Sequence, residues 1–232
     1  MMEKKSPDVV RENLKRIRAN IEEACVRSAR DPADVTLMAV TKTVDPELVN
    51  IAIDSGITLL GENRAQELLS KYETYKLGRE NIHFIGHLQT NKVRQVVDKV
   101  SMIESVDSLK LAAEIDRCAA QQGKIMDILV EVNIAQELSK NGVLPQQLDA
   151  LFEGLKSYSN IRTRGIMVIP PVGEGPKYFE AARNLLIDIK GKKLDNRNVN
   201  ILSMGMSYDY VEAVSYGSNI VRIGRGLFGE RN

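Results

Sequence analysis

Two periodicities trade places along this chain about eight times, and that alternation restricts its fold sharply. Short apolar runs of strand type, at about 35–41, 57–60, 82–85, 102–104, 126–132, 163–169, 199–203 and 220–223, are separated by stretches whose apolar residues recur every three or four positions. Strands alternating with helical segments form parallel βαβ units. About eight such units in 232 residues fit a closed (β/α)8 TIM-type barrel of α/β class, at the small end of its size range. A doubly wound open sheet is the alternative. It lacks support, because no GxGxxG follows the first strand and no Walker lysine motif occurs.

Local signals agree with the alternation. Ser6-Pro7 offers an N-cap serine and a proline at the first helical position, and Val10, Leu14, Ile17, Ile21 and Cys25 then line one face of a helix at about 7–30, stopped by Asp31-Pro32. Asp45-Pro46 opens a second helix that Gly56 stops, and Ser108 caps a helix ending at Gly123. Further helices are expected through Leu68 and Leu69 toward Gly78, from Thr90 to about Lys99, over 148–155, through Leu186, and between Asp209 and Gly217. No linker or shift in composition divides the chain, so one domain is expected over 1–232, with the first helix packed on the barrel.

Composition removes several function classes. There are 32 basic and 31 acidic residues, a net charge of +1, and no tryptophan, which is unlike a nucleic-acid binder or a membrane-surface protein. No apolar run approaches the roughly 18 residues that span a bilayer, and the first residues carry no signal-peptide core. Cys25 and Cys118 lie in helix-like segments without a CxxC pattern, as reduced structural thiols would in a cytoplasmic protein.

The active face of a barrel collects residues just beyond the C-terminal ends of its strands. Those positions are Lys42, Gly61-Glu62-Asn63, Gly86-His87, Asn133, Met167, Ser203 to Ser207, and Arg222 to Arg225. A primary amine such as that of Lys42 becomes a nucleophile able to form a Schiff base when partial burial lowers its pKa; the plain alternative is a strand-end lysine reaching solvent. The seventh loop offers a flexible glycine and Ser207, which is expected to cap the next helix and to bind phosphate. The eighth, Arg222-Ile-Gly-Arg-Gly-Leu-Phe-Gly229, has three glycines whose amides can approach an anion. An amine on strand one and an anion cradle on strands seven and eight would bracket a phosphorylated aldehyde such as pyridoxal 5'-phosphate. His83 and His87 stand four apart across a strand end, so their rings are not expected to share a face or a metal. The basic stretch from Thr90 to Lys99 reads as a solvated helix face.

The segments Ala39-Val-Thr-Lys42, Gly61-Glu-Asn63, His83 to Lys92, Gly205-Met-Ser-Tyr-Asp209 and Gly217 to Gly224 resemble, in order and spacing, the YggS/PROSC-type pyridoxal phosphate homeostasis proteins, whose barrel is similar to the N-terminal domain of alanine racemase. The resemblance implies that Lys42 holds the cofactor as a Schiff base, that Ser207 and the amides of Gly224 and Arg225 take its phosphate, that Arg222 faces the pyridine nitrogen, and that Asn63 and Met204 line the ring. Where this chain has Arg225 the family commonly has threonine, so a phosphate-directed hydroxyl is missing there. Arginine stays protonated and can only donate to the ring nitrogen, which weakens the electron sink that carbanion chemistry uses. The expectation is therefore a cytoplasmic, monomeric or weakly associating protein with no metal, which buffers the cofactor or delivers it in transient contact with pyridoxal phosphate-dependent apoenzymes.

Two other functions stay open at this point. A racemase or decarboxylase of low activity would use the same lysine, although racemisation needs a base on each face of the substrate carbon and only Lys42 can be nominated. Racemases also carry a β-domain after the barrel, which is not expected here. A barrel that binds another phosphorylated metabolite, with Lys42 as a charge contact, is the third reading.

Overall fold

The computed structural model describes residues 6–192 and 198–229. Eight parallel strands close into a barrel in sequence order, β1 (Thr36–Val40), β2 (Leu59–Glu62), β3 (Ile82–Phe84), β4 (Met102–Val106), β5 (Met126–Val132), β6 (Ile161–Val168), β7 (Ile201–Ser203) and β8 (Ile220–Ile223), with β8 pairing back onto β1. The strands are wrapped by α1 (Pro7–Arg27), α2 (Pro46–Asp54), α3 (Ala65–Lys71), α4 (Val93–Val97), α5 (Leu109–Gln121), α6 (Leu148–Leu155), α7 (Gly175–Gly191), α8 (Tyr210–Ser215) and α9 (Arg225–Phe228). Residues 1–5, on which the reading of the N-terminus partly rests, lie outside the described residues, as do 193–197 and the last three of the expected domain.

The expected caps form. The Ser6 hydroxyl accepts from Val9 N–H, the Asp45 carboxylate from Glu47 N–H, and the Ser108 hydroxyl from Leu111 N–H, with proline in the first turn of α1 and α2. α1 ends at Arg27 rather than near residue 30, because Ala29 turns left-handed (φ 53°) and Asp31-Pro32 opens a separate 3-10 turn. Two expected helices are shortened. The segment through Leu68 gives way to a 3-10 turn at Tyr72–Thr74, and Thr90–Lys92 is a 3-10 turn before α4. Strand two lies two residues later than its apolar run suggested, since Glu62 pairs within the sheet.

Side chains alternate in and out of the barrel wall. Ala39, Leu60, Phe84, Ile103, Val130, Ile166, Leu202 and Val221 face outward into one continuous core shared with the helices. Met38, Val40, Leu59, Ile85 and Ile220 fill one side of the lumen, and Met102, Leu129 and Met167 the other. Gly61 leaves room there, since a Cβ would stand 2.5 Å from Met38 Sδ. Both cysteines are buried and free, Cys25 on α1 and Cys118 on α5. No helix among the described residues is long and apolar enough to cross a membrane.

Candidate functional site

The inward phase of each strand continues past its C-terminal end and selects the site. Met38 and Val40 lead to Lys42 on β1, Leu59 and Gly61 to Asn63 on β2, and Ile220 and Arg222 to Gly224 on β8. The register sets these ends side by side, Val40 opposite Gly61 and Met38 opposite Arg222. Lys42, Asn63, Ser207, Arg222, Gly224 and Arg225 thereby line a single cleft at the barrel mouth. Ile85, Ile169, Val172, Met206 and Tyr208 complete it. A larger cavity, about 370 Å³ against about 140 Å³, lies at the opposite end of β1 between α1 and β2, where Arg18 donates to the carbonyls of Ser55 and Gly56. Position at the strand C-termini, not volume, marks the active face.

Met204 does not reach the cleft. It follows Ser203 in the outward phase, is fully buried in the core beneath the helices, and Met206 stands at the cleft wall instead. Ser207 is not the cap of α8, because Asp209 precedes that helix and accepts from Met206 N–H at 2.6 Å. The Ser207 hydroxyl accepts from Gly226 N–H at 3.0 Å, which clasps the seventh loop to the eighth and leaves its proton for an acceptor in the cleft. Gly205 makes the turn possible with φ 93° and with Ala213 Cβ only 2.5 Å from where its own Cβ would be. Arg225 is exposed, with its guanidinium 4.9 Å from the Tyr208 ring centre.

Beneath the cleft, polar side chains occupy the lumen. Arg222 is buried and donates to Ser203 Oγ at 2.6 Å and to the Val168 carbonyl at 2.8 Å. The Ser203 hydroxyl donates to Glu104 at 2.6 Å, and the other Glu104 oxygen meets His83 Nδ1 at 2.7 Å. Burial raises the Glu104 pKa, but the hydrogen bond and charge of His83, the charge of Arg222 and the Ser203 hydroxyl outweigh it and hold the carboxyl below its ordinary range. Burial lowers Arg222 from its ordinary value, opposed by Glu104, Glu131 and Asp209. Glu131, also pointing inward, is pushed up to about 7 by burial and by Asp107, with Arg222 pulling the other way. His83 therefore has an acidic partner that no sequence motif announced, while His87 is exposed on the other side of Gly86, so the two rings do not share a face.

The turn that carries Lys42 is held from behind. Thr41 is buried and donates to Glu62 Oε1 at 2.6 Å, where the Tyr75 hydroxyl also donates at 2.5 Å. Burial raises the Glu62 pKa despite these bonds, and its Oε2 has no partner among the described residues. Thr43 adopts φ 59°, a left-handed conformation that costs a β-branched residue about 1–3 kcal/mol unless its surroundings impose it.

The wall shows one further sign of a ligand. Asn63 Oδ1 is buried at the cleft and finds no hydrogen-bond partner among the described residues. An amine, a guanidinium, a hydroxyl donor and an orphaned amide oxygen on one cleft form a donor set that fits an anionic ring compound carrying a carbonyl.

Residues 13–232 match the family model for the alanine racemase N-terminal domain. The chain belongs to that family. Within it, the chain is 41% identical over 228 residues to the pyridoxal phosphate homeostasis protein of Aquifex aeolicus, covering 95% of this chain and 97% of that one. It is also similar to a structure of an unknown protein from Bifidobacterium adolescentis, with a TM-score of 0.90 at 32% identity, covering 96% and 95% of the two chains. PipY of Synechococcus elongatus PCC7942, solved with PLP bound, matches with a TM-score of 0.81 at 31% identity, covering 95% of this chain and 100% of PipY. The eight-stranded closed barrel expected from the alternation is the architecture of this family member.

Proposed function

We propose that this chain binds pyridoxal 5'-phosphate through Lys42 and serves the homeostasis of that cofactor, holding it and buffering or delivering it without robust catalytic turnover. The observation that carries this reading is the convergence of Lys42, Asn63, Ser207, Arg222, Gly224 and Arg225 on one cleft, in a chain whose near full-length relatives are named as homeostasis proteins and include one solved with PLP. When bound, the cofactor supplies an aldehyde that condenses with a primary amine and releases water. Lys42 supplies that amine. Ser207 Oγ, already fixed by Gly226 N–H, donates toward the phosphate, beside the amides of Gly224 and Arg225. The exposed Arg225 side chain adds positive charge at the cleft.

Arg222 donates toward the ring nitrogen and does not give it a proton, because a guanidinium has only donors and stays protonated. A ring nitrogen kept unprotonated is a poor electron sink, in keeping with storage over turnover. Delivery is by transient contact with apoenzymes, from a cytoplasmic, monomeric protein in which the whole chain acts as one cofactor-binding domain. Visible spectroscopy of wild type and Lys42→Ala titrated with pyridoxal phosphate tests the reading. The absorption band of the bound cofactor is expected only in wild type, with equal far-UV dichroism and melting for both. An identical band in Lys42→Ala would overturn it.

A further inference from the structure

We infer that Glu67 is a positioning residue for Lys42: with Lys71 it grips the peptide groups on both sides of the lysine and thereby aims its amine into the cleft. The inference rests on the proposed role of Lys42 as the cofactor's anchor. Glu67 Oε2 accepts from Thr43 N–H at 2.8 Å, and Lys71 Nζ donates to the Thr41 carbonyl at 3.2 Å. The two side chains are joined to each other at 2.9 Å, and both are largely buried, with side-chain exposures of 19% and 13%. They stand one turn apart on α3, the helix that starts two residues after Asn63. One short helix thus supplies a rigid clamp for the lysine turn and continues directly from the cleft wall.

The clamp answers a specific need. Thr43 is left-handed, a conformation that threonine does not choose, and its N–H is the group that Glu67 takes. Without that acceptor the turn relaxes toward ordinary backbone angles, and Lys42, the preceding residue, changes direction. Thr41 is fixed independently by Glu62, so the released motion falls on Lys42 and Thr43 and leaves β1 in place. The surroundings of Glu67 favour its charged form. Burial raises its pKa, but the Thr43 N–H, the hydrogen bond and charge of Lys71, and the charge of Arg64 outweigh burial and hold it below its ordinary value. Glu67 does not line the cleft, so its effect passes through Lys42 and not through contact with a ligand.

The step affected is covalent capture, in which Lys42 Nζ forms a C=N bond to the aldehyde carbon and the carbonyl oxygen leaves as water. Two ligands separate capture from binding. Pyridoxal phosphate reads both, and pyridoxine 5'-phosphate, which has no aldehyde, reads the cleft alone. In Glu67→Ala the rate of covalent capture should fall roughly ten- to hundred-fold, the scale of misplaced reacting groups. The dissociation constant for pyridoxine phosphate should stay at its wild-type value. Glu67→Gln, which keeps an acceptor for Thr43 N–H, should recover most of the rate. Wild-type capture in Glu67→Ala would overturn the inference. So would parallel loss of capture, analogue binding and melting temperature, or a Gln variant as slow as Ala. A wild-type protein whose reduced adduct maps away from Lys42 would instead overturn the reading of the anchor, a separate result from the variant comparison.

Discussion

Replacing Ser203 with alanine removes a single oxygen from the lumen, yet two charged groups lose a partner. The Ser203 hydroxyl donates to Glu104 and accepts from Arg222, each at 2.6 Å, in a part of the barrel where all three residues are buried. A hydrogen bond to a charged group contributes about 1.5–3 kcal/mol, and a gap the size of one hydroxyl is too small for water to fill. Glu104 keeps His83, and Arg222 keeps the Val168 carbonyl, so the loss falls near the lower end of the sum, about 3 kcal/mol. For a chain of this length that corresponds to a melting temperature lower by roughly 6–12 °C. Beside Glu104 in the chain stands a built-in control. Ser105 is equally buried, but its hydroxyl has no partner among the described residues. Ser105→Ala removes an unsatisfied polar group and should be neutral or slightly stabilising. Thermal melts of the two variants without ligand, followed by circular dichroism, make the comparison. Equal melting temperatures, or a larger loss in Ser105→Ala, would refute the view that the lumen network, rather than burial of a small side chain, carries the energy.

Glu131→Gln should gain stability relative to wild type as pH rises. A carboxyl whose folded pKa is raised from 4.5 to about 7 holds its proton better in the folded state, so wild-type stability declines across that window and levels above it, by at most roughly 3 kcal/mol at about 1.4 kcal/mol per pKa step. Melts at pH 5 and pH 8 check this, and a constant difference between variant and wild type would contradict the buried setting of Glu131. Gly86→Ala should lose about 1–3 kcal/mol and weaken ligand binding at Asn63, because the new Cβ would stand 2.0 Å from the Asn63 carbonyl oxygen. Wild-type melting and binding in that variant would show that the backbone of the second strand end yields without cost.

Much of this architecture could be read from residue order. Ser6-Pro7, Asp45-Pro46 and Ser108 announce helix starts through short-range chemistry, and they form as expected. The strand ends that carry Lys42, Asn63 and Arg222 also follow from local apolar runs. Residue order is silent where a distant partner decides the outcome. Glu62 reads as loop until Thr41 and Tyr75 accompany it inside the sheet. The family resemblance points Met204 at the ring, whereas counting by two from Ile201 places it outward and Ser203 inward. The pairing of His83 with Glu104, 21 residues apart, depends on strand register and leaves no motif. Glu67 and Lys71 look like an ordinary i,i+4 helix pair, and their grip on the lysine turn appears only in three dimensions.

The most direct test of the central claim is borohydride reduction of the protein after incubation with pyridoxal phosphate, followed by peptide mass mapping. A single reduced pyridoxyl group on the peptide containing Lys42 is the predicted result. No adduct, or adducts scattered over surface lysines, would contradict it.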